Sequence, residues 1–185
     1  MRRISGPSSG VPPNNIAGAH ACTIKCQAQP AAVAALSSTV RLHVTIRRLT
    51  PSDVPKVTPL MAELGYPTND TSFAERAAAV SANPDDGVLI AEEAGDIVGL
   101  VAIHSFEMLH RPGRLGRITA LVVSASARRR GVGHELLSAA ENHLRSIGCI
   151  KLEVTSGVSR SDAHGFYAAH GYQEQRVHFV KSPAT

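Results

Sequence analysis

Arg128-Arg129-Arg130-Gly131-Val132-Gly133 combines two residue types suited to holding phosphate. Glycine lets the main chain approach a ligand with no Cβ in the way. Arginine can spread its charge over several oxygens. An apolar run, Ile118 to Val123, precedes the loop and reads as a strand. Amphipathic His134 to Ile147 follows and reads as a helix. Amide groups at such a helix start converge on an anion, and the helix dipole favours negative charge there. The same six residues would also suit a solvated turn, because neither a P-loop nor a Gly-x-Gly-x-x-Gly pattern is present.

The elements that must position this loop begin at His43. His43 to Arg47 alternates like a strand. Thr50-Pro51-Ser52-Asp53 is a helix start, with proline tolerated in the first turn. Val54, Val57, Leu60, Met61 and Leu64 mark one apolar helical face, ended by Gly65. Thr71 to Ala82 reads as a second helix. Val88 to Glu92, a turn at Ala94-Gly95-Asp96, and Ile97 to Met108 read as a β-hairpin. After the loop Leu109 to Gly116 come a strand over 117–123, the basic loop and the helix to about 147. A strand Ile150 to Val154, a helix over 161–170 and a last strand Arg176 to Val180 complete the pattern. The order β-α-α-β-β-β-α-β-α-β predicts an α/β (α+β) fold with a mixed sheet flanked by helices. Residues 1 to 40 are rich in Ser, Gly, Pro, Ala and Asn without hydrophobic period. They read as a tail, leaving 41–185 as the domain. An upstream start codon or a transit peptide would also account for them.

A length of 185 residues supports one ordinary domain with a real core. Hydrophobic content of 43% and charged content of 18% are globular values. Tryptophan is absent and aromatics are 4%, so a base-stacking surface is poorly supplied. The net charge of +4 comes from the N-terminal segment, whose first 50 residues contain no acid. The remainder is slightly acidic, which argues against a nucleic-acid-binding face. Three cysteines make no disulfide framework. Cys22 and Cys26 form a lone Cys-x-x-x-Cys, a weak metal signal, and Cys149 reads as a small core residue. No apolar run reaches transmembrane length, so no membrane partner is expected, and a reducing cytoplasm fits best.

This element order, with Arg128-x-x-Gly131-x-Gly133, resembles the GCN5-related N-acetyltransferase (GNAT) superfamily, whose cofactor loop reads Gln/Arg-x-x-Gly-x-Gly/Ala. Ala163-His164-Gly165-Phe166-Tyr167-Ala168-Ala169-His170-Gly171-Tyr172 resembles its Ala-x-x-Phe-Tyr-x-x-x-Gly-Phe/Tyr signature. The resemblance covers residues 43–182. It implies a mostly antiparallel central sheet and acetyl-CoA as acyl donor. The backbone of Leu121, Val122 and Val123 would bond the pantetheine arm. Arg128, Arg129, Arg130, Gly131, Val132, Gly133 and His134 would hold the pyrophosphate. Arg160, Ala163 and Phe166 would lie along the cofactor. Phe166-Tyr167 could simply be a packed aromatic pair. The family role for Tyr167 is general acid: when an amine attacks a thioester, the leaving thiolate needs a proton that a phenol can give.

The general base is open. Many relatives carry a Glu where this chain reads Arg117-Ile118-Thr119-Ala120. His104, Glu107 and His110 are the candidates, with alternation placing His104 and Glu107 on opposite faces. A base acting through water is the other option. Gly99 to His104 with His110, the Asp162-Ala163-His164 segment and the ending Val177 to Lys181 resemble the aminoalkylphosphonate N-acetyltransferase subgroup. That subgroup implies a divalent metal, but Arg117 and Ala120 replace its acids, so no metal is assigned. Arg111, Arg114 and Arg117 could instead meet an anionic substrate, or form a solvated surface. The reading is therefore an acetyl-CoA-dependent N-acetyltransferase acting on a small-molecule amine, by direct attack in a ternary complex. A non-catalytic acyl-CoA-binding regulatory module and a protein or peptide N-acetyltransferase are the alternatives. The last strand could supply an edge for a homodimer.

Overall fold

The computed structural model describes residues 43–175 and Lys181. The chain forms β1 (Thr45–Arg48), a 3-10 turn at Pro51–Asp53, α1 (Val54–Glu63) and α2 (Asp70–Ala82). It continues through β2 (Asp86–Glu93), β3 (Asp96–Glu107), β4 (Arg114–Val123) and a 3-10 turn at Ala125–Ala127. Then come α3 (Val132–Ser146), β5 (Cys149–Val154) and α4 (Ser161–Ala169). The elements expected between His43 and His170 are all present, with ends displaced by a few residues. The main displacement is in β4, which starts at Arg114 rather than 117 because that end pairs with both neighbours. The expected tail over 1–40, the Cys22–Cys26 pair and the expected strand 176–180 lie outside the described residues. No helix among the described residues is long and apolar enough to cross a membrane.

The five strands lie in the order β1-β2-β3-β4-β5. All neighbours are antiparallel except β4 and β5, which run parallel because α3 carries the chain back between them. That parallel pairing runs from Arg114–Cys149 to Ile118–Val154 and stops there. β4 itself continues to Val123, paired only with β3. A bulge marks the divergence. Ala102 stands opposite Ala120 but Ile103 opposite Ile118, so Thr119 is an extra residue in β4. Its hydroxyl donates to the Ala102 carbonyl at 3.1 Å.

Both faces of the central strands are buried. Under α3, Leu136, Leu137, Ala140 and Leu144 pack on Val101, Ile103 and Ile118. On the other face, Val57, Leu60 and Phe73 of α1 and α2 pack on Ile90, Leu100 and Val122. Each fully buried Leu or Ile contributes roughly 1.5–3 kcal/mol. β3 therefore reads as a nearly continuous apolar run rather than a clean alternation.

One polar knot joins β1 to α1. Asp53 is buried and receives both guanidinium arms of Arg47, at 2.7 and 2.8 Å. The Thr50 amide and hydroxyl also donate to it, at 2.8 and 2.7 Å. Arg47 holds Glu92 of β2 at 2.7 Å as well. The Arg47 hydrogen bond keeps the Asp53 carboxyl well below the usual carboxylate range, against the opposing effect of burial. A depressed carboxylate stabilises the fold above its unfolded pKa, near 3.9, and that stability is lost as pH falls through the lower folded value. D53N should therefore lower unfolding stability by about 1–3 kcal/mol at pH 7, discounted because Arg47 is partly exposed. Denaturant titrations from pH 7 to pH 2 should show the gap between wild type and variant constant above about pH 5 and shrinking below it.

Candidate functional site

Where β4 leaves β5 a wedge opens. Ile118, Thr119 and Leu121 form one wall and the stretch after Val154 the other. Leu64 and Tyr66, between α1 and α2, close one side; Ala163 and Tyr167 of α4 close the opposite side. Leu121, Val122 and Val123 pair with Val101, Leu100 and Gly99 of β3. Their other edge has no strand partner among the described residues. Backbone groups on such an edge require hydrogen-bond partners, and an extended ligand supplies them as an added strand would.

The basic loop starts at the end of this edge. Arg129 (φ 59°) and Gly131 (φ 88°) both take left-handed conformations, which turn the main chain sharply. Gly131 is also the N-cap of α3 and offers no side chain to cap it. The amides of Val132, Gly133 and His134 then have no acceptor within the helix and point, with the dipole, at whatever anion lies there. A Cβ on Gly133 would stand 3.3 Å from the Phe166 ring, so the helix start and α4 form a close cradle. The arginines are less free than the sequence suggests. Arg128 bonds the Val123 carbonyl at 3.0 Å and Glu63 at 3.3 Å. Arg130 bonds Glu93 at 2.6 Å. An open strand edge running into an uncapped, glycine-lined helix start fits an extended polar arm that ends in a diphosphate.

α4 brings the candidate acid to the wedge. Tyr167 is buried and packs edge-on against Phe166 and Tyr172, with ring centroids 5.3 and 5.6 Å apart. Burial raises its phenol above the ordinary tyrosine value, with Arg160 opposing. Near pH 7 the group thus carries its proton. Arg160 lines the wedge and donates to the Leu64 carbonyl, tying the start of α4 to the end of α1.

The candidate bases fall in three places. His104 is bonded through Nδ1 to Asp86, whose other oxygen accepts from Asn83 at 2.8 Å. It stacks on Phe106, and Arg117 lies over that same ring at 5.5 Å while pairing with Glu153. This group occupies the sheet face two residues beyond Ala102, the partner of wedge-lining Ala120. Glu107 is exposed and pairs with Arg114, which also bonds Asp85 and Ser105. His110 and Arg111 lie in the turn between β3 and β4. From Arg114 to Ile118 the strand runs roughly 13 Å, so that turn is not brought to the wedge. Among the described residues no three His, Cys, Asp or Glu side chains gather as a metal site.

Asp86, Glu63, Glu153 and His170 escaped the sequence reading. Each meets its partner across elements and leaves no local spacing to read. A hairpin register counted back from Ala94-Gly95 sets Asp85 opposite His104, and the bulge at Val98 moves that pairing to Asp86.

Residues 56–172 match the Acetyltransferase (GNAT) family. An aminoalkylphosphonate N-acetyltransferase from Salmonella typhimurium is 31% identical over 138 residues, 74% of this chain and 90% of that protein. A glucosamine 6-phosphate N-acetyltransferase from Oryza sativa subsp. japonica is 31% identical over 116 residues, 60% of this chain and 68% of that protein. An aminoglycoside N-acetyltransferase solved in complex with CoA superposes with a TM-score of 0.68 at 18% identity. The match covers 77% of this chain and 96% of that one, and it shows a shared fold.

Placing a Cβ at Gly131 forces a non-glycine residue into φ 88°. G131A should lose about 1–2 kcal/mol of stability. It should also weaken binding of CoA at least fivefold, as read by calorimetry.

Proposed function

Because this chain belongs to the GNAT acetyltransferase family, an acyltransferase family that uses acetyl-CoA, we propose that it acetylates the primary amine of a small molecule by direct attack in a ternary complex. The observation that carries this reading is a protonated, buried Tyr167 phenol lining the wedge beside the unpaired edge of β4. Acetyl-CoA, when bound, supplies a thioester carbonyl for attack. Leu121 to Val123 offer backbone partners to its arm, and Arg128 to His134 offer amides and charge to its diphosphate. Arg160, Ala163 and Phe166 form the α4 side of that path.

The amine nitrogen bonds to the acyl carbon as the carbon–sulfur bond breaks. Tyr167 gives its phenolic proton to the sulfur, and solvent returns one. The amine must shed a proton, and His104 receives it through a bridging water. Its Nδ1 faces Asp86, which leaves Nε2 as the nitrogen able to accept. Glu107 and His110 serve this role less well, since one is held by Arg114 and the other lies in the distant turn.

Both curated relatives act on molecules that join an amine to a phosphorus-bound anion. We extend that chemistry to this chain: its acceptor is a primary amine bearing an anionic group. Arg117 beside His104 is the cation placed to meet it, in exchange with Glu153. Arg111 stands too far along the hairpin to share that role.

Purified protein with acetyl-CoA and a panel of amines, aminoalkylphosphonates and amino-sugar phosphates included, should release free thiol. Y167F should slow that release at least tenfold at unchanged acetyl-CoA affinity. Tight acetyl-CoA binding without turnover on any amine would instead identify a non-catalytic acyl-CoA-binding module. H104Q should lower kcat/KM by about 10²-fold with acetyl-CoA affinity kept; activity retained within about twofold would assign the base elsewhere.

A further inference from the structure

His134 and His170 form a pair at the mouth of the cofactor loop. His134 Nδ1 lies 3.0 Å from His170 Nε2, and His170 Nδ1 lies 2.7 Å from the Phe166 carbonyl. A carbonyl can only accept, so His170 carries its proton on Nδ1 and its Nε2 is the acceptor. His134 must then donate through its own Nδ1. The neutral pair thus leaves a single bare nitrogen, His134 Nε2. A second proton on His170 Nε2 would require His134 to accept through Nδ1 and carry its own proton on Nε2, so the two cationic forms differ only in which ring holds the shared proton. Any added proton goes to His134 Nε2, where it makes a cation that keeps every bond of the pair.

The position of that nitrogen gives the added proton a use. His134 is exposed in the first turn of α3, beside the uncapped amides. His170 closes α4, and its ring rests on Phe166 at a centroid distance of 4.4 Å. The same Phe166 forms the far wall of the Gly133 cradle. Arg128, Arg129 and Arg130 of the loop, Glu135 in the first turn of α3 and Asp162 in the first turn of α4 are the charged residues in the segments adjoining the pair. Glu174 follows α4, while Glu141 is engaged by Tyr172 and Arg145. Without an anion, the loop and the helix dipole offer the added proton no counter-charge, Glu63 and Glu93 being engaged by Arg128 and Arg130. With a diphosphate present, the balance reverses.

We propose that His134, held by His170, is a proton-linked ligand of the CoA diphosphate, gaining a proton on Nε2 as the diphosphate binds. This rests on the reading that Arg128 to His134 hold CoA. The linkage sign follows directly. The bound anion favours the protonated imidazole, so CoA affinity rises as pH falls through the histidine range and proton uptake accompanies binding.

Calorimetry of dephospho-CoA binding in buffers of different ionisation heat tests this. That ligand lacks the phosphate monoester, whose own titration near pH 6 would otherwise be superimposed. Wild type should take up between about 0.3 and 1 proton at pH 7, and its affinity should fall about three- to tenfold from pH 6 to pH 8. H134Q should lose both the uptake and the pH dependence. H134K, charged throughout, should bind with the wild type's low-pH strength at pH 8 and take up no proton. H170F should lose most of the uptake, since His134 is then unheld. Pantetheine, which lacks the diphosphate, should bind without pH dependence. No uptake by wild type, or the same uptake in H134Q, would overturn the proposal. Absence of CoA binding altogether would instead remove the functional reading on which it rests.

Discussion

The separation of two parallel strands is the constraint on which the site depends. β4 and β5 pair as far as Ile118 and Val154 and then part. Beyond that point β4 carries unpaired backbone groups on one edge, and buried or half-buried groups of that kind must find partners. Parallel strands are ordinarily covered and continuous. A parallel pair that stops halfway leaves main-chain donors and acceptors on one edge, the groups an extended ligand would pair with. The cofactor arm can thus be held by residues as plain as Leu121, Val122 and Val123.

The wedge stays open because several contacts hold its walls. Thr119, the bulged residue, adds twist where β4 departs and fastens itself to Ala102. Arg160 spans from α4 to the end of α1. Glu63, at that same end, accepts from the Ala125 amide at 2.8 Å and from Arg128. The opening therefore lies between elements tied to each other at its rim. Tyr167 joins this frame to the core, belonging to the cluster under α3 and also lining the wedge. A phenol mounted this way is raised by burial and still borders the wedge, as the proposed acid role requires.

Local pattern carried most of this fold. The apolar face of α1, the start signal at Thr50 to Asp53, the turn at Ala94-Gly95 and the glycine loop all act over a few residues, and the elements lie where those signals place them. The strand edge, basic loop and helix start proposed to hold the cofactor lie where the sequence sets them for the same reason, since they are contiguous in the chain. The face bearing His104 was not. Its partners Asp86, Arg117 and Glu153 come from three other strands, and three register shifts bring them together. A register counted without the Val98 bulge would place Asp85 opposite His104 and send every following side chain to the wrong face. A single extra residue thus decides which carboxylate, Asp85 or Asp86, stands opposite the histidine, and propensity does not report it.

The electrostatics of the loop follow a similar logic. Three adjacent arginines suggest a strongly positive site, but Glu63 and Glu93 already hold two of them. Such pairs at a partly exposed surface are worth about 0–1 kcal/mol each. They are strong enough to fix the loop's shape and weak enough to yield when phosphate oxygens offer better geometry. The acids come from opposite flanks, the end of α1 and the end of β2, so the loop is braced on both sides before any ligand arrives. Preorganisation, more than raw charge, is what the arginines contribute in the free protein. The uncapped amides of α3 have no such stand-in, and they are the part of the loop that only an anion completes.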